Sequence, residues 1–269
     1  MKKLLLLLII PLLFSCTKKR EETSDSIIEN IVESSSKKNT HKTILIEIFA
    51  EQSKWTARYA GADNILGASH VSAIHEDIEN PSANNPLGII TKVTMTKQIE
   101  TITSTIRKDS IKLELEQNII KKNKIEAILE KNIERRQRYI ANFVSADEKG
   151  LLEQGQDDII ISAKDGKLVL PKGKEIMLKF RSKDVIHSAY LPHFKVQRDC
   201  VPGFITQFAF TPTMTTKEYQ EYLQDTIFTY ILRCNKICGV SHYEMSMEVE
   251  VKEEEDYNTW IANQKTISN

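Results

Sequence analysis

The stretch Cys234-Asn-Lys-Ile-Cys238-Gly-Val-Ser-His242-Tyr-Glu-Met245 brings two thiols, an imidazole and a thioether into one loop, and a second histidine stands upstream in Asp184-Val-Ile-His187-Ser188. Thiolate and thioether are soft donors suited to copper, imidazole suits it as well, and a hard oxygen-seeking cation would not use this set. A loop with both thiolates lets them bridge two copper ions. Each copper then takes one histidine, and Met245 and the backbone carbonyl of Lys236 serve as weak outer ligands. Two coppers sharing one odd electron through sulfur bridges change their bond lengths little on reduction. That chemistry is electron transfer, and no catalytic residue for bond-making is assigned.

Three other readings share these residues. A structural zinc site of two Cys and two His fits the spacing between the cysteines, but it leaves Met245 and the Lys236 carbonyl without a role. A Cys234–Cys238 disulfide suits an oxidising compartment, but then His242 and Met245 fall at ligand spacing by chance. A mononuclear blue-copper centre uses one cysteine and leaves the other idle. Cys200 and His193 lie close in sequence to the His187 segment and fit none of these ligand patterns. Cys200 is expected as a buried free thiol, and His193 as a surface group or a support for the ligands.

The elements that must hold such a site are strands. Thr43 to Ala50 is β-branched and apolar, and Trp55 to Tyr59 follows it as a second strand. Residues 61–88 hold enough Gly, Pro, Asn and Asp to be irregular. From about Val93 to Ser145 apolar residues recur by threes, fours and sevens among many charges, without Pro or Gly. This predicts helices, with Lys121-Lys122-Asn123-Lys124 as the turn between two antiparallel arms. Short strands return at 159–161, 168–170, 176–180 and 204–210, and a helix carrying Trp260 begins near Asp256. The expected fold class is mainly β, a sandwich or barrel formed by 43–92 and 146–269, with a helical hairpin inserted at 93–145 and a short C-terminal helix.

The composition fits a soluble globular domain: of 269 residues 41% are hydrophobic and 28% charged, and a formal net charge of +0 gives no global attraction to nucleic acid. The N-terminus differs. Met1-Lys2-Lys3 and the apolar run to Phe14 read as an export signal too short to span a bilayer, and Ser15-Cys16 resembles a bacterial lipobox. The expectation is therefore a signal over 1–16, a lipid on Cys16, and a flexible tether over 17–42. The protein would then be exported and membrane-associated on the periplasmic side through that lipid.

Together these residues resemble the copper-bearing second subunit of haem–copper cytochrome c oxidases, over roughly Ile46 to Val251 apart from the helical insertion. Beyond the ligand loop, Arg181-Ser-Lys-Asp-Val-Ile-His187-Ser-Ala-Tyr190-Leu-Pro192, Asp199-Cys-Val-Pro-Gly203 and Phe210-Thr-Pro212-Thr are similar to that family's strings. The resemblance implies a cupredoxin-like Greek-key fold and a dinuclear CuA centre. It also implies a c-type cytochrome as donor and haem in subunit I as acceptor. Asp199 stands where the family has an acidic residue near the copper, with a role in docking or packing. The sequence departs from the family at three places: no pair of transmembrane helices precedes the domain, Gln52 is followed by Ser53 where the family has an aromatic residue, and Lys236 replaces a common Glu. Trp55 is displaced from that aromatic position and is expected in docking or, more simply, in the core. A free-standing, lipid-anchored copper shuttle or store is the alternative. A nitrous-oxide reductase is not expected, because that family precedes this domain with a long propeller and no repeat of blade length appears here.

Overall fold

The computed structural model describes residues 43–70, 73–74 and 85–268. The expected export signal and tether, with Cys16, lie outside the described residues, as does the Asn80-Pro81 part of the irregular loop.

Two five-stranded sheets face each other. The first has the order β3-β2-β1-β5-β8 and the second β4-β10-β9-β6-β7. The strands are β1 Ile44–Glu51, β2 Lys54–Tyr59, β3 Ile159–Ser162, β4 Leu168–Pro171, β5 Ile176–Ser182, β6 His187–Leu191, β7 Val196–Cys200, β8 Thr206–Phe210, β9 Tyr230–Cys234 and β10 Ser246–Lys252. Each sheet contains one parallel pair, β1 with β5 and β4 with β10, among antiparallel neighbours. The architecture is mainly β, a sandwich of two sheets, as the sequence predicts.

Alternation produces the core. Ile176, Leu178 and Phe180 of β5 point inward between half-buried neighbours, and Met247, Val249 and Val251 of β10 do the same from the other sheet. They meet Ile46, Ile48, Ala50, Trp55 and Ala57 of the first sheet and Ala189, Leu191 and Leu232 of the second. Each fully buried large aliphatic or Phe stabilises the sandwich by about 1.5–3 kcal/mol. Strand β8 starts at Thr206, because Phe204 and Ile205 lie in the preceding turn with exposed side chains.

The helical segment consists of α1, Lys92–Leu115, and α2, Ile119–Glu148. Their junction differs from the expectation. The reversal occurs at Glu116 to Asn118, and Lys121–Lys124 already belong to the first turns of α2, whose open N–H groups at Ile120 and Lys121 are accepted by the Asn118 side chain. A charged cluster had the composition of a turn, but a capping side chain decides where the helix begins. At the base of the hairpin Met95, Ala146, Leu152 and Ala73 form a small core of their own. Helix α3, Thr216–Leu223, opens on a reciprocal Thr215/Glu218 capping box, and α4, Glu254–Ala262, presents Trp260 to Tyr59 edge to face.

The outer face of the first sheet holds a buried ion network. Arg58 is fully buried and donates from Nε to Asp158 Oδ2 at 2.8 Å and from Nη2 to the Gly67 carbonyl at 2.7 Å. Glu47 pairs with Arg58 and, at 3.0 Å, with Arg181. These bonds fasten the segments around Gly67 and Asp158 to the sheet, and a buried charge is tolerated there because it is paired and hydrogen-bonded.

Candidate metal centre

The predicted ligands converge at one end of the second sheet. His187 begins β6 and Cys234 ends β9, and the pairing of Ala189 with Cys234 sets those two strand ends side by side. After β9 the chain loops back into β10. The Cys234 N–H donates to the Met245 carbonyl at 3.1 Å, which closes the loop, and the Asn235 N–H donates to the Ser188 carbonyl at 2.9 Å, which ties it to β6. A single 3-10 turn, His242–Glu244, carries the second histidine.

The Cys234 and Cys238 sulfurs are 3.7 Å apart, and both thiols are free and buried. His187 Nδ1 lies 3.9 Å from the Cys234 sulfur, and His242 Nδ1 lies 3.5 Å from the Cys238 sulfur. The Met245 sulfur is 3.6 Å from that of Cys238, and the Cys234 thiol donates to the Lys236 carbonyl at 3.2 Å. His187, Cys234 and Cys238 form a compact group whose ligand atoms all lie within 4.8 Å of one another. Two imidazole nitrogens, two thiols and a thioether facing one another in a buried pocket are a soft donor set with the chemistry that copper needs. Burial, and after it the neighbouring Cys234, pushes the Cys238 thiol up to about 11, so metal binding there must displace a proton.

The ligands have supports that the sequence reading did not single out. His187 Nε2 is 2.9 Å from Asp184 Oδ1. A carboxylate only accepts, so the ring donates from Nε2 and leaves the Nδ1 lone pair facing the sulfur. Burial raises the Asp184 carboxyl, but N–H donation from Gln52, His187 and Val185 outweighs it and holds the group below its usual range. Gln52, noted only for the residue after it, donates from its side chain to the Cys238 carbonyl. The position of an acid three residues before a ligand histidine was a usable signal for Asp184. Nothing local marked Gln52, which reaches the site from the other sheet.

Trp55 is fully buried, so its place is in the core. Its indole N–H donates to the Met245 carbonyl at 3.3 Å, and its ring meets His187 edge to face with centroids 6.2 Å apart. Asp199 is exposed on β7, with its backbone carbonyl accepting from Thr206 at 2.7 Å. Cys200 is fully buried opposite His187 in the β6–β7 pair, and burial pushes its thiol up to about 12. His193 is a surface group, the first of the two expectations. It follows the far end of β6, among Tyr219, Phe228 and Tyr230.

A mainly β, two-sheet sandwich thus brings two buried cysteines, a buried and a half-buried histidine and a buried methionine together at one end, a soft donor set that could hold a metal ion. Residues 141–252 match the family described as cytochrome c oxidase subunit II, periplasmic domain. Alternative cytochrome c oxidase subunit 2 of Bradyrhizobium diazoefficiens is 38% identical over 114 residues, covering 42% of this chain and 36% of that protein. Cytochrome c oxidase subunit 2 of Thermostichus vulcanus is 32% identical over 103 residues, covering 38% of this chain and 28% of that protein. The matched region spans about a third of the length of these curated relatives. Among solved structures, the periplasmic domain of subunit II of cytochrome oxidase (CoxB) of Bradyrhizobium japonicum aligns with 82% of this chain and 92% of its own at 15% identity and a TM-score of 0.38.

Proposed function

We propose that this chain is the electron-accepting subunit of a cytochrome c oxidase. In this reading a dinuclear copper centre is held by His187, Cys234, Cys238, His242 and Met245 and by the backbone carbonyl of Lys236. When bound, such a centre supplies a one-electron carrier that reorganises little between its redox states. A c-type cytochrome is the donor, and haem in subunit I of the oxidase is the acceptor, where oxygen is reduced.

One observation carries the reading: the donors are divided between the two sulfurs. His187 approaches Cys234, whereas His242 and Met245 approach Cys238. A tetrahedral zinc ion would draw its four ligands around one point, whereas a pair of ions bridged by both sulfurs needs one histidine at each end. The chain's part is to hold these groups in place and to keep water away from the sulfurs.

An oxidase assembly is favoured over a free-standing copper carrier by the outside of the ligand loop. Ile237 is 87% exposed, Val240 97% and Tyr243 81%, an apolar rim that a partner protein would cover. Among the described residues no helix is long and apolar enough to cross a membrane. The proposed attachment on the periplasmic side is a lipid on Cys16, which follows an apolar run and Ser15, together with docking to subunit I.

The test is copper stoichiometry and electron paramagnetic resonance on the purified protein after copper loading. Two coppers per chain with a mixed-valence signal shared by both are expected. One copper with a localised signal, or a preference for zinc, would remove the reading.

A further inference from the structure

Gln52 touches both halves of the metal centre from the opposite sheet. It sits in the turn between β1 and β2, whereas the ligands start or follow strands of the second sheet. Its backbone N–H donates to Asp184 Oδ2 at 2.8 Å, and the other oxygen of that carboxylate accepts from His187 Nε2. Its side-chain amide donates to the carbonyl of Cys238. One residue is thereby tied to the first histidine through a carboxylate and to the second cysteine directly.

The fit at the cysteine end is tight. Gly239 has φ +145°, a conformation that side-chain-bearing residues rarely adopt, and a Cβ placed there would come within 2.8 Å of the Gln52 amide nitrogen. The amide can reach the Cys238 carbonyl because residue 239 is glycine. Holding that carbonyl fixes the peptide plane between residues 238 and 239, and with it the direction in which the Cys238 side chain leaves the backbone.

We propose that Gln52 is the positioning residue of this centre, setting the Cys238 sulfur and, through Asp184, the His187 ring against each other before metal arrives. The proposal rests on the copper reading above. It also makes a prediction for the metal-free protein, which separates the two. Hydrogen-bond partners behind ligands typically change metal affinity by about 10–100-fold.

The experiment compares the whole chain with Gln52→Glu and Gln52→Ala, using Ser53→Ala in the same turn as control. Gln52→Glu keeps the length but replaces the N–H donor with a carboxylate oxygen facing a carbonyl. In metal-free protein, iodoacetamide labelling of Cys238, read by mass spectrometry, should speed up several-fold in both Gln52 variants, with the melting temperature nearly unchanged. After copper loading, the same variants should show a shifted resonance spectrum and release copper to a chelator about 10-fold faster. Ser53→Ala should match the parent in every readout. Parental labelling, spectrum and release in both Gln52 variants would overturn the proposal, as would a lowered melting temperature with the site signals unmoved. If the parent protein takes up no copper pair, the copper reading fails, and the labelling rates still decide whether Gln52 positions Cys238.

Discussion

His187 Nε2 and Asp184 Oδ1 lie 2.9 Å apart within a three-residue reach, and this contact leaves Nδ1 as the nitrogen that faces the Cys234 sulfur. An imidazole without that acceptor can turn or change tautomer, and each ligating event must then restore the productive form. Asp184→Ala is expected to fold as the parent does, because residue 184 is exposed, and to bind copper about 10–100-fold more weakly. Competition against a chelator of known affinity measures the change. Unchanged affinity would show that packing alone orients the ring.

Trp55 tests the difference between docking and packing. Its side chain is fully buried and its indole N–H is committed to the Met245 carbonyl, which also receives the Cys234 N–H. Trp55→Phe should cost about 1 kcal/mol for the lost hydrogen bond, and Trp55→Ala about 3–5 kcal/mol for the cavity as well. Denaturant titration reads both. Electron uptake from a c-type cytochrome under second-order conditions should be unaffected by Trp55→Phe, since a residue without exposed surface offers the donor nothing to touch.

The legible parts of the fold were those where burial follows a simple pattern. Strand β1 is a β-branched run, and the Cys234–Met245 loop stands out as a candidate site because soft donors at short spacing have few other uses. The strands that carry the ligands were harder to see. His187-Ser-Ala-Tyr-Leu and Val196-Gln-Arg-Asp-Cys are short, and the exposed Gln197, Arg198 and Asp199 of β7 obscure its alternation. Strand β10 was available in principle, since Met247, Val249 and Val251 alternate with polar residues, and so was α3 from its capping box. The supports were not available. Gln52 and Asp184 are 132 residues apart, and the Arg58–Asp158 pair is 100 residues apart. No local pattern predicts that sheet pairing brings such groups together.

His193 gives a pH dependence that does not involve the metal. The residue keeps exposed surface, but one side of its ring stands against Tyr219, Phe228 and Tyr230, and this partial burial lowers its pKa below that of a free histidine. The unfolded chain therefore takes up this proton at a higher pH than the folded protein does. The stabilising contribution is complete above the unfolded value, about 6.5, and is lost as pH falls through the folded one. His193→Phe keeps an aromatic ring in the cluster and removes the titration. Melting temperature plotted against pH should fall less steeply for the variant than for the parent between about pH 7 and 5. Parallel curves would show that the folded protein accepts the proton without penalty.

The three described cysteines should separate cleanly. Cys234 and Cys238 face each other across 3.7 Å with a histidine nitrogen beside each sulfur. Cys200 is buried on β7, with its thiol pushed up to about 12 by that burial. Its side chain has no exposed surface, which shields the sulfur from reagents. Cys234→Ser or Cys238→Ser replaces a soft bridging donor by a hard hydroxyl and should abolish the dinuclear copper spectrum. Cys200→Ala should leave the spectrum intact and cost on the order of 1 kcal/mol of stability, comparable to deleting one buried methylene. Brief alkylation of the native metal-free protein should mark Cys234 or Cys238 and spare Cys200. A copper spectrum lost in Cys200→Ala while the variant remains folded would mean that the third sulfur belongs to the ligand set.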